Sequence, residues 1–335
     1  MRLPMPARPL TPRLVLVAAA LVLIGATTHA QTPAAPSPPA APTTPAAPTP
    51  PPSPVSAIRN KLSAGDLLSA ESVLEVYREQ HGEDGPWLQG LSWLARGAFL
   101  LGDMDKAERY AKQVRDACAQ RMASGAKLDA DHDLEIALGA AIETDAQRLQ
   151  RAKGKKVAAR LLHDELARYP GPPTLLMRLH KRLDMLTLEG APAPEWVTED
   201  FVGEPPPALA ALKGKPVVLF LWYEGCGDCK AQAASLGRVL EKRKGTDLRC
   251  VAITRYYDDP PGRVAEKAAI DSVWTAVYSS VGPIPRVIST ASMIAYGVSS
   301  TPTFVFIDRK GIVRRYTPTR LTEAELDRAL DEIAR

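Results

Sequence analysis

The chain has 335 residues, of which 45% are hydrophobic and 24% charged, with 31 prolines, four cysteines and a formal charge of +4. That length leaves room for two domains at roughly 100 to 200 residues each. The positive charge does not point to nucleic acid. Arg2, Arg8 and Arg13 lie in an opening stretch without acids, and without these three the charge falls from +4 to +1.

Those arginines precede the apolar run from Leu14 to Ala26, which leads into Thr28-His29-Ala30. The pattern is that of a secretory signal cut after Ala30. The run is shorter than the roughly 20 apolar residues of a membrane span, and no cysteine follows it to carry lipid. Residues 1–30 are therefore expected to direct export, to a bacterial periplasm. Residues 31–55 are almost wholly Pro, Ala, Thr and Ser, a composition that buries no core and predicts a semi-rigid, disordered tether.

From 56 to 189 apolar residues recur at three- and four-residue steps, punctuated by Gly, Asp and Pro, which predicts helix after helix. Two segments are alike: Gly65-Asp66 through Ala70-Glu71, and Gly102-Asp103 through Ala107-Glu108. Their spacing lies near the period of tetratricopeptide repeats, with Trp87, Leu91, Gly97 and Ala98 on the first helix of the second unit. In each, Gly closes one helix, Asp caps the next, and the small Ala sits where paired helices approach. A third pair is expected from His132 to Tyr169, and a closing helix from Pro172 to Thr187 that hides the apolar end of the stack. Such an array offers a groove to a protein partner. Arg151, Lys153, Lys155, Lys156 and Arg160 read as a solvated helix face, and Cys118 as a small core residue.

From 190 to 335 the pattern changes. Pro216 to Tyr223 is nearly continuous apolar sequence, as in a central strand buried on both faces. Cys226-Gly227-Asp228-Cys229 follows, opening a helical stretch. Leu248–Thr254 predicts a strand and Arg263–Ser280 a helix. Thr303–Asp308 and Gly311–Tyr316 predict a hairpin, and Thr322 with Glu325 a capping box on the closing helix.

Two cysteines at this spacing suit a redox pair, half a zinc site or a structural staple, so the flanking chain decides. A strand that delivers them to a helix start sets the first sulfur beside unpaired backbone N–H groups, which favour a thiolate. Zinc needs four ligands, yet the only other cysteines are the isolated Cys118 and Cys250, and no histidine follows His180. No metal is expected, and Cys250 reads as an inert core thiol rather than the partner of a Cys118 bridge between the halves.

Residues 190–335 resemble a thioredoxin-fold domain of the TlpA-like thiol-disulfide oxidoreductases. The resemblance rests on Lys213-Gly-Lys-Pro216, Trp222, Cys226 to Lys230, Tyr296-Gly-Val298, Thr301-Pro302 with the strand after it, and Lys310-Gly311. From the residues alone Pro302 is an ordinary trans proline at a strand edge; the resemblance implies a cis Thr301–Pro302 bond that sets the Thr301 backbone beside the cysteines for an extended substrate to pair with. The overall expectation is an α+β multidomain chain, an all-α tetratricopeptide-like array followed by a thioredoxin-like α/β domain with a central mixed sheet. Cys226 is the expected nucleophile and Cys229 the resolving thiol, with Trp222, Glu224, Gly227, Asp228 and Lys230 in support. The redox disulfide is the only cofactor, and disulfide-bearing client proteins and an external electron donor are the partners. The alternative is a scaffold that only docks partners.

Asp228 places a carboxylate in the turn, where like charge disfavours thiolate and points to a reducing pair. Two features depart from the family pattern. Gly225 stands where an aromatic residue usually precedes the first cysteine, and Phe220 stands where thioredoxins carry a buried acid, leaving Glu224 as the nearest carboxylate before the pair.

Overall fold

The computed structural model describes residues 53–258 and 260–335. The expected signal segment and most of the tether lie outside the described residues. Among those described, no helix is long and apolar enough to cross a membrane.

Seven helices come first: α1 (Val55–Ser63), α2 (Leu67–His81), α3 (Gly85–Leu100), α4 (Met104–Ala123), α5 (His132–Lys153), α6 (Lys155–Arg168) and α7 (Pro173–Thr187). The repeated Gly-Asp signal does what its chemistry suggests. Gly65 and Gly102 hold positive φ, and Asp66 and Asp103 accept from the N–H groups of Ser69 and Lys106 at 3.0 and 2.9 Å. Ala70 and Ala107 are fully buried. Each odd-numbered helix from α1 to α5 packs against both the next odd-numbered helix and the even one between them, as stacked helical hairpins do. Glu71 of the first hairpin accepts from Lys106 of the second at 2.7 Å, and Glu108 in turn pairs with Arg148 at 3.0 Å, so ion pairs follow the stack. The basic residues from Arg151 to Arg160 lie exposed, and Cys118 is buried in the core.

A mixed six-stranded sheet follows: β1 (Asp200–Val202), β2 (Val217–Leu221), β3 (Arg249–Thr254), β4 (Arg286–Ile288), β5 (Thr303–Ile307) and β6 (Val313–Thr317), in the order β1-β4-β3-β2-β5-β6. Strands β2, β3 and β4 run parallel, and the other pairings are antiparallel. The sheet carries helices α8 (Gly227–Glu241), α9 (Arg263–Val277), α10 (Thr290–Ala295) and α11 (Glu323–Ala334). Strand β2 explains its own sequence. Val218 and Phe220 enter the core shared with α8, α9 and α11, while Val217, Leu219 and Leu221 enter the core on the opposite face. The capping box of α11 is present, with Glu325 accepting from the Thr322 N–H at 2.8 Å. Sequence reading missed β1, β4 and α10, which are too short to show a period.

The closing helix does more than seal the array. Leu175, Leu179, Leu183 and Leu186 of α7 join the helical core, whereas Met177, with Leu188 just beyond the helix, joins the sheet core beside Tyr296 and Val298. One helix thus completes two cores. Gly297, with φ +56°, lies against α7 so closely that a Cβ would overlap the Lys181 backbone. Beyond α7 the chain runs along β6, with Gly190 N–H donating to Val313 at 2.8 Å and Val313 N–H to Ala191 at 2.9 Å, which covers that sheet edge.

Asp184 of α7 is buried, its Oδ2 has no partner among the described residues, and burial pushes its carboxyl up to about 7. The folded state therefore favours the neutral acid. Its contribution to stability is complete below the ordinary carboxylate value of 3.8 and is lost as pH rises through about 7. Denaturant titrations between pH 4 and 8 should show stability falling with pH by up to about 1.4 kcal/mol per unit from this group. Asp184→Asn should flatten that slope, and an identical slope in the variant would refute the assignment.

Candidate active site

Strand β2 ends at Leu221, and the chain turns over Trp222 to Gly225 before α8 begins. Cys226 is the N-cap of α8, and its Sγ accepts from the Cys229 N–H at 3.0 Å. The first sulfur thus sits on the positive end of the helix. It also lies 3.4 Å from the Thr301 carbonyl oxygen, to which the thiol donates. Thr301–Pro302 is cis. Thr303 Oγ1 donates to the Ser300 carbonyl at 2.8 Å, and Ser300 Oγ to Pro318 at 3.2 Å, fixing the loop that presents Thr301.

The two sulfurs have different surroundings. Cys226 is half-buried and Cys229 fully buried; burial, reinforced by the contact with Cys226, pushes the Cys229 thiol up to about 12. Behind Cys229 the domain is aromatic and dry. Trp222 and Tyr278 are wholly buried with ring centroids 5.0 Å apart, and Trp274 stacks on Tyr278 at 4.9 Å. Neither Trp222 Nε1 nor the Tyr278 hydroxyl has a hydrogen-bond partner among the described residues. Phe220 packs on Phe304 at 5.3 Å in the same wall.

The loop explains Gly225. The Tyr223 ring folds over it, 2.6 Å from where a Cβ would stand, so a side chain at 225 would have to displace that ring. Tyr223 also packs against Tyr257 in a tilted arrangement with ring centroids 4.3 Å apart, and the Arg255 guanidinium lies 3.9 Å over Tyr257. Glu224 is half-buried with Oε2 unpartnered among the described residues. Burial raises its carboxyl, and Glu266 and Asp258 add like charge. Gly227 and Lys230 are exposed on the first turn of α8.

Asp228 is exposed and turns to Arg320, 3.5 Å away. That partner was not legible in the sequence, nor was Gln232, whose amide accepts from Leu321 N–H at 2.8 Å and donates to its carbonyl at 2.9 Å, tying α8 to the chain before α11. Cys250 is buried in β3, and Cys118 and Cys250 are both free thiols pushed up to about 12 by burial. Among the described residues no three His, Cys, Asp or Glu side chains gather as a metal site would require.

Residues 207–334 match the family described as a thioredoxin-like domain. No curated protein matches the chain significantly. Similar solved structures include DsbF of Mycobacterium tuberculosis in mixed oxidised and reduced forms, 22% identical over 37% of this chain and 84% of that one, with a TM-score of 0.31. A thioredoxin-family thiol:disulfide interchange protein of Chlorobium tepidum is 20% identical over 44% of this chain and 97% of that one, at 0.35. A thiol-disulfide isomerase of Corynebacterium glutamicum is 19% identical over 43% and 96%, at 0.36. The chain is thus a helical array followed by a thioredoxin-like domain with a mixed sheet.

The contrast between the thiols has a direct consequence for reactivity. Brief iodoacetamide treatment of the reduced chain near neutral pH should modify Cys226 and spare Cys118, Cys229 and Cys250, as read by peptide mass spectrometry. Faster labelling of Cys229 than of Cys226 would contradict this assignment.

Proposed function

We propose that the thioredoxin-like domain exchanges disulfides with client proteins through Cys226 and Cys229, acting as a reductase after export to a bacterial periplasm and cleavage after Ala30. The observation that carries this is the placement of the Cys226 sulfur at the start of α8, 3.0 Å from the Cys229 N–H and 3.4 Å from the Thr301 carbonyl.

The Cys226 thiolate attacks one sulfur of a client disulfide, forming a mixed disulfide and releasing the other client sulfur as a thiolate. An extended client segment pairs with the Thr301 backbone during this step. Cys229 then loses its proton and attacks the Cys226 sulfur, which frees the second client sulfur and leaves a Cys226–Cys229 disulfide. Two electrons pass from the pair to the client, and an external donor returns them. Burial of Cys229 keeps it protonated until the mixed disulfide has formed. Glu224, half-buried in the turn before the pair and raised by burial, is the proton acceptor proposed for that second step. Trp222 forms the dry wall, while Gly227, Asp228 and Lys230 shape the exposed first turn. The reducing direction rests on Asp228, whose carboxylate lies in the turn and is offset by Arg320 at 3.5 Å and by Lys230, both exposed and screened by solvent.

The experiment is a trap. Cys229→Ser in the native host should accumulate client proteins covalently bound at Cys226, released by reductant, whereas Cys226→Ser should hold none. Recovery of no covalent partner by Cys229→Ser would leave the exchange proposal without support and favour a docking scaffold.

A further inference from the structure

A groove of about 530 Å³ lies between the helical array and the thioredoxin-like domain, within the range of specific ligand sites. Helices α3, α5 and α7 line one side, and the segment Val298–Thr301 with Arg255 and Tyr257 lines the other. Thr301 belongs to this groove and to the cysteine site at once, since its carbonyl meets the Cys226 sulfur at 3.4 Å. A chain that passes Thr301 to reach Cys226 therefore has this groove beside it.

The groove is electrostatically unbalanced. Four cations, Arg96, Arg178, Lys181 and Arg255, line it against two carboxylates, Glu135 and Glu143. Glu143 is buried and already held by Arg178 at 2.7 Å, and Glu135 accepts from the Thr174 hydroxyl. Among the described residues no carboxylate pairs with Arg96, Lys181 or Arg255; Arg96 lies over Trp93 at 4.5 Å and Arg255 over Tyr257. All three are half-buried. Burial disfavours the charged forms of Arg96 and Lys181; Glu143 offsets this in part and Arg178 adds like charge, so the net shift still runs against the cations, and an incoming carboxylate would relieve that penalty.

We propose that this groove receives the segment of a client polypeptide next to its reactive cysteine, and that it selects segments carrying Asp or Glu. The inference rests on the exchange proposal and names the client chemistry that the same site prefers. The segment runs past Thr301, and its carboxylates settle against Arg96, Lys181 and Arg255. A basic segment meets like charge there, and a neutral one leaves the cations unpaired. The helical array is then the specificity element of the exchange site.

The test uses the full reduced chain and disulfide-linked peptides identical except at residues flanking the cysteine, which are Asp/Glu, Asn/Gln or Lys, alongside a small aromatic disulfide without flanks. The acidic peptide should react about tenfold faster than the neutral one at low salt, with the advantage shrinking as salt rises. In the double variant Arg96→Gln/Lys181→Gln the acidic-to-neutral ratio should fall toward one. Because each ratio is read within one protein, a poorly folded variant lowers both rates without mimicking this result. Equal rates for acidic and neutral peptides, a faster basic peptide, or an unchanged ratio in the variant would overturn the groove assignment, while reduction of the small disulfide keeps the exchange proposal standing. If even the small disulfide is not reduced, both fall.

Discussion

The contact between Gly297 and the backbone of α7 is the constraint on which the rest of the arrangement depends. Any side chain at 297 would overlap the Lys181 backbone, so the sheet domain can seat itself on α7 only because this residue has none. Met177 and Leu188 then enter the sheet core while the other face of α7 remains in the array. Interior packing of this kind does not slide, because small displacements forfeit contacts on both sides at once. The next residues, Val298 to Thr301, lead from this fixed point to the Cys226 sulfur. The array and the cysteine site are therefore held in register by one shared helix rather than by a linker.

Within the domain, the useful chemistry comes from contrast. The helix start offers an N–H to Cys226, while the aromatic wall of Phe220, Trp222, Trp274 and Tyr278 strips solvent from Cys229. An apolar wall cannot accept a proton, and Phe220 brings no carboxylate to the sheet interior. The half-buried carboxyl nearest before the pair is Glu224, raised by burial, with Glu266 and Asp258 adding like charge. The loop is compact for a similarly local reason: Tyr223 covers Gly225 and packs at a tilt against Tyr257, which fills space that a side chain at 225 would otherwise take.

Much of this was legible in the sequence where a signal is local. The apolar run of β2, the cysteine pair at a helix start, the capping box and the Gly-Asp turns each depend on residues a few positions apart. The cis Thr301–Pro302 bond came from family resemblance, since composition alone favours trans. What stayed hidden is what depends on distant residues. Arg320 reaches Asp228 and Gln232 holds Leu321 across about ninety positions, separations that leave no periodic trace. The three-residue strands β1 and β4 exist because neighbouring strands pair with them. The dual role of α7 was hidden as well, because an apolar residue such as Met177 does not say which of two cores it joins.

Cys226 and Cys229 are proposed to form a reversible two-electron couple poised to reduce. Equilibrating the full chain with defined thiol–disulfide buffers, and counting alkylated cysteines by mass, tests it most directly. The expected result is a single two-electron transition confined to this pair, near about −270 mV. A pair that never closes a disulfide, or a midpoint more positive than about −180 mV, would contradict it.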